Sequence, residues 1–111
     1  MVANNDKAVD ISEKEFEETI NNPDNMVVID FYAEWCMPCL MIAPVIEELA
    51  SKFTKIKFAR VNIDENHSLS SKFDVSSIPC LILFKKGQEI DRIIGALPEE
   101  VLEEKIRKHI G

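Results

Sequence analysis

Residues 26–33, Met-Val-Val-Ile-Asp-Phe-Tyr-Ala, form a nearly unbroken apolar run with one acid, Asp30, inside it. Such a run fits a strand covered on both faces. The rest of the chain must therefore supply helices above and below it. Ser12 and Glu15 have capping-box spacing and open a helix to about Asn21, with Phe16 and Ile20 as its core contacts. Residues 21–25, Asn-Asn-Pro-Asp-Asn, end it as a turn. Cys39, Ile42, Ile46, Leu49 and Phe53 recur at three- and four-residue steps. They mark the buried stripe of a second helix, which begins near Cys36 or Met37. Pro38 falls in its tolerant first turn, and Pro44 is expected to kink it.

The alternation continues to the end of the chain. Ile56 to Ile63 is expected to be a second inner strand, and Leu69 and Phe73 suggest a short helix. Cys80 to Phe84 is a third strand, and Lys85-Lys86-Gly87-Gln88 turns it into a hairpin with Glu89 to Ile94. A last helix from Pro98 has acids at its start and bases at its end, as the helix dipole favours. Leu102, Ile106 and Ile110 give it an apolar stripe. With room for a short strand ahead of the first helix, this order predicts an α/β fold. Its core is a mixed sheet of four to five strands flanked by about four helices.

At 111 residues the chain is expected to be one domain over 8–111, with residues 1–7 as a short, loosely held arm. A net charge of −7 argues against nucleic-acid binding, which needs clustered cations. No stretch approaches the roughly 18 apolar residues of a membrane span. The first 25 residues lack an apolar core of signal-peptide length, so a reducing cytoplasm is the expected compartment, with the chain a monomer. Three cysteines in that setting point to redox or metal chemistry more than to a disulfide framework.

The pentapeptide Trp35-Cys36-Met37-Pro38-Cys39 lies where strand gives way to helix. Cysteines three apart on a helical turn are within disulfide reach. Cys36, at the exposed N-terminal edge of the helix, has unsatisfied N–H groups and the dipole to favour its thiolate, so it is expected to be the nucleophile. Cys39, on the buried stripe, is expected to be the resolving thiol, displacing product from a mixed disulfide. The competing reading is half of a zinc site, with Cys80, His67 and His109 conscripted. No second CxxC or ordered His spacing supports it. Asp30 is costly inside an apolar strand unless neutral or paired; otherwise it turns outward. His67 and His109 read as solvated residues without a catalytic role.

These residues resemble the thioredoxin family. The likeness runs from Val28 through Cys39 and on through Met41-Ile42-Ala43-Pro44, Val61-Asn62-Ile63-Asp64, Ile78-Pro79, Leu83-Phe84-Lys85 and Gly95. It implies a thioredoxin fold with no bound cofactor, a Cys36–Cys39 redox disulfide and reduction of protein disulfides. It also implies a thioredoxin reductase or equivalent electron donor and disulfide-containing protein substrates as partners. Asp30 would then move the Cys39 proton, through water, and Pro79 would be cis and expose the Ile78 backbone to an extended substrate. Arg60 stands where the family commonly has Lys, and is expected either to hold Asp30 ionised or to snorkel to the surface. Met37 and Leu40 replace the usual Gly and Lys. With Trp35, Pro38, Ile78, Gly95 and Ala96 they are expected to form an apolar docking patch. Cys80, where Thr is usual, reads as a small buried hydrophobe; the alternatives are a third redox thiol or a metal ligand. Three other functions share the motif: an isomerase or oxidant, a metal-binding chain, and a docking module with an inert dithiol.

Overall fold

The computed structural model describes residues 8–110; the arm expected over residues 1–7 lies outside the described residues. The chain runs β1 (Val9–Asp10), α1 (Glu13–Ile20), β2 (Val27–Tyr32), α2 (Met37–Lys52), β3 (Lys57–Asn62), α3 (His67–Lys72), β4 (Cys80–Lys85), β5 (Gln88–Ile94) and α4 (Glu99–Arg107). The strands form one sheet in the order β1-β3-β2-β4-β5. β1, β3 and β2 are parallel, while β4 and β5 run antiparallel to their neighbours. This is the mixed five-stranded sheet with four helices that the alternation predicts. The apolar run becomes the central strand, and all six residues of β2 are buried.

Side-chain alternation splits β2 between two cores. Val28, with Phe58, Leu81, Leu83 and Ile93, packs against α2 and α4 through Ile42, Ile46, Leu49, Leu102 and Ile106. Val27, Ile29 and Phe31 face the other way, onto Phe16 and Ile20 of α1 and Leu69 of α3. The rings of Phe16, Phe73 and Phe84 meet there at 5.2–5.8 Å between centroids. α1 is capped as its sequence predicts: the Ser12 N–H donates to Glu15 Oε1 at 2.8 Å. α2 runs through Pro44 as one continuous helix.

The hairpin between β4 and β5 turns on Lys86 and Gly87, both with positive φ, 54° and 81°. Two successive left-handed residues match the twist of a two-residue hairpin. Gly87 also donates its N–H to the Ile20 carbonyl at 2.9 Å, tying the turn to the end of α1. A Cβ at Gly87 would run into the Asn21 side chain. Gly87→Ala is therefore expected to cost about 1–2 kcal/mol in urea denaturation, with the spectrum of the fold unchanged.

Two expectations fail at the C-terminus. Ile110 is 50% exposed, because α4 ends at Arg107 and the stripe does not continue past it. His109 is not freely solvated: its Nε2 lies 2.9 Å from Asp91 Oδ2, and both side chains are half-buried. This bond holds the Asp91 carboxyl below the usual range. Lys85 Nζ donates to the His109 carbonyl at 3.1 Å, so the final turn is tied to the sheet's antiparallel half.

Candidate active site

β2 delivers the chain to a turn, Ala33 to Cys36, in which the Cys36 N–H donates to the Ala33 carbonyl at 3.3 Å. Cys36 is the N-cap of α2, in extended conformation. Met37 and Pro38 follow, and proline costs nothing there because its missing N–H would have no intrahelical partner. Cys39 is the third helical residue, and its N–H donates to Cys36 Sγ at 3.2 Å. The helix thus spends one of its free N–H donors on the Cys36 sulfur, a contact that favours negative charge there. Cys36 and Cys39 are joined as a disulfide with Cα atoms 5.2 Å apart.

Cys36 is more enclosed than a helix-edge position suggests. It is 5% exposed against 0% for Cys39. Its Sγ lies 3.9 Å from the Ile78 carbonyl, and Ile78 packs against the cluster formed by Tyr32, Ala33, Cys36 and Cys39. The Ile78–Pro79 peptide bond is cis. Pro79 in turn accepts a hydrogen bond from the Gly95 N–H at 2.9 Å, which brings the end of β5 beside it. Gly95 has φ of 100°, and Ala96 next to it is exposed.

Around the disulfide, apolar side chains stand in solvent. Trp35 is 68% exposed, Met37 65% and Leu40 49%, with Pro38 exposed between them. Met41, one turn beyond Met37 and 69% exposed, extends this surface beyond the patch expected from the sequence. The Trp35 indole is held by its N–H, which donates to Asp64 Oδ2 at 2.8 Å.

Asp30 faces inward, 1% exposed. Its Oδ2 accepts from Arg60 Nε at 3.2 Å, while Oδ1 has no protein partner among the described residues. Burial pushes the carboxyl up from 3.8 to about 6, and the Arg60 charge and hydrogen bond limit the rise. Asp30 is therefore largely ionised at neutral pH yet close to taking up a proton. Two residues of this environment escaped the sequence reading. Tyr32 donates its hydroxyl to Asp10 Oδ1 at 2.6 Å, and the Arg60 guanidinium lies 3.9 Å from the centroid of its ring. Alternation does place Tyr32 on the Asp30 face, but the row containing Asp10 depends on strand pairing.

The third thiol is elsewhere. Cys80 is 1% exposed and belongs to the core between the sheet and α1 and α3, apart from the cluster of Cys36 and Cys39. Burial also pushes its thiol up. His67 opens α3 and is exposed. Among the described residues no group of His, Cys, Asp and Glu is placed to hold a metal ion. Alkylation of the native, reduced protein is expected to mark Cys36 rapidly and Cys80 only after denaturation, as read by peptide mass mapping.

A helix-capped dithiol that closes into a disulfide under a shielding carbonyl can exchange disulfides with another molecule. Chemistry of that kind, on this sheet, defines a thiol–disulfide oxidoreductase that works through its own disulfide and no added cofactor. Comparison with known proteins agrees. The family model described as Thioredoxin matches residues 7–108. The chain is 45% identical over 103 residues to thioredoxin of Staphylococcus saprophyticus, covering 92% of this chain and 97% of that one. It is 39% identical over 104 residues to thioredoxin 1 of Nostoc sp., covering 93% and 97%. A mutant thioredoxin from Halobacterium salinarum superposes with a TM-score of 0.87 at 32% identity, over 98% of this chain and 96% of that one. The chain belongs to the thioredoxin family.

Proposed function

We propose that this protein is a reductant of protein disulfides, with Cys36 as the attacking sulfur and Cys39 as the resolving one. The Cys36 thiolate attacks one sulfur of a target disulfide, forming a mixed disulfide and releasing the other target sulfur as a thiolate. Cys39 then gives up its proton to Asp30 and attacks Cys36 Sγ. The Cys36–Cys39 bond forms, the intermolecular bond breaks, and the second target thiolate leaves. Two electrons have passed to the target, and a reductase or equivalent donor restores the dithiol. The single observation that carries this order is the Cys39 N–H donating to Cys36 Sγ at the start of α2. It stabilises a charge on Cys36, whereas Cys39 has no exposed surface.

An extended target segment is received along the Ile78 backbone beside cis-Pro79, near Gly95 and Ala96, with Trp35, Met37, Pro38 and Leu40 as the apolar contact. The chain works as a single domain over residues 8–111, as a monomer, in a reducing cytoplasm and without nucleic acid or membrane. Among the described residues no helix is long and apolar enough to cross a membrane.

Equilibration with glutathione buffers tests the direction of transfer. A potential near about −270 mV, where thioredoxins sit, is expected. A value above about −180 mV would instead make the protein an isomerase or oxidant.

A further inference from the structure

Arg60 stands in register between two aspartates, Asp10 on β1 and Asp30 on β2. A guanidinium placed in this way has a carboxylate on either side. It takes one of them: among the described residues, its ion pair is with Asp30. Asp10 is occupied instead by the Tyr32 hydroxyl, at 2.6 Å. The same Tyr32 carries the guanidinium on its ring, 3.9 Å from the centroid, a distance at which a cation is attracted to an aromatic face.

We infer that Tyr32 is a positioning residue for disulfide exchange: by occupying Asp10 and carrying Arg60, it directs the guanidinium to Asp30. The consequence for the reaction rests on the reading of Asp30 as the acceptor of the Cys39 proton. Arg60 then sets how readily Asp30 takes that proton, and Tyr32 sets where Arg60 points.

The surroundings leave few other charges to do this. From β3 Asp30 is faced by Arg60, and from β1 beyond it by Asp10. β4 places Leu81 opposite it, and the neighbouring Cys80 thiol, raised by burial, is neutral. α4 presents Leu102 and Ile106 to this side of the sheet. α2 contributes Cys39, packed with Tyr32. Asp10 itself is exposed and lines a cleft of about 550 Å³ together with Tyr32, Glu34 and Asn62. Without the tyrosine hydroxyl, Asp10 becomes a competitor for the guanidinium one strand away.

The test is an NMR titration of the Asp30 carboxyl in the oxidised protein, with the pH dependence of mixed-disulfide resolution measured in parallel. Tyr32→Phe keeps the ring and removes the hydroxyl. Asp10 then draws Arg60 away, and the Asp30 midpoint is expected to rise by about half a unit to one unit. Adding Asp10→Asn removes the competitor and is expected to return the midpoint to the wild-type value or below it. An unmoved midpoint in Tyr32→Phe overturns the inference. So does a rise that Asp10→Asn fails to reverse, since general loosening of the fold would behave in that way. If the midpoint moves and reverses as expected while the rate profile stays in place, the positioning of Arg60 stands and the proton-acceptor reading of Asp30 fails.

Discussion

Replacing Cys39 with serine is expected to leave a protein that attacks a disulfide once and stops. Cys36 keeps its place at the N-cap and keeps the N–H of residue 39, because a backbone donor survives the substitution. It therefore still attacks. No second thiol lies in reach to displace the product, since Cys80 is buried in the opposite core. A mixed disulfide accumulates, visible as a mass adduct that dithiothreitol releases. Reduction of insulin over many turnovers falls by about a thousand-fold or more, to the rate of dithiothreitol alone. Cys36→Ser is expected to lose the same activity without trapping an adduct. An adduct on Cys39 in that variant, formed as fast as the one on Cys36, would reverse the assigned roles.

Asp30→Asn is expected to stabilise the fold and slow the reaction. The folded carboxyl is raised from 3.8 to about 6, chiefly by burial. Between those values the native state holds a proton that the unfolded chain has released. Stability is therefore full below about pH 4 and falls as pH rises through 6, by about 3 kcal/mol. Asparagine does not titrate and escapes this penalty. The attraction of Arg60 is already contained in the value of about 6, so losing that partner subtracts nothing further. The net gain is about 3 kcal/mol at pH 7.5 and close to none at pH 3.5, measurable by urea denaturation at the two pH values. Resolution of the mixed disulfide at neutral pH slows on the order of a hundred-fold, the loss typical of a missing general base. Equal stabilisation at both pH values would mean that Asp30 ionisation does not oppose folding.

Much of the site follows from short stretches of chain. The run 26–33, the three-and-four spacing after Cys39 and the Lys86-Gly87 turn each act within a few residues, where period and turn chemistry are directly readable. The dithiol is local in the same sense, because one helical turn brings Cys36 to Cys39. Two of the three departures from expectation lie where segments far apart in the chain meet, and the third, at Ile110, is a local helix end. Cys36 is enclosed because Ile78, from the approach to β4, packs over it. His109 is engaged because β5 places Asp91 beneath it. Ile110 leaves the α4 stripe because the helix ends before it.

The pentapeptide around Cys36 and Cys39, the acid within the apolar run at residue 30 and the order of strands and helices belong to the sequence alone. Each is written in residues close together in the chain, and together they suffice for the reaction class. The setting of that reaction belongs to the tertiary structure. The order β1-β3-β2 puts Arg60 between Asp10 and Asp30, and Tyr32 breaks the tie. Strand pairing brings these four residues into contact across up to 50 positions of chain, from Asp10 to Arg60. No local pattern encodes such a register, because a parallel neighbour is selected by the packing of the whole sheet against its helices.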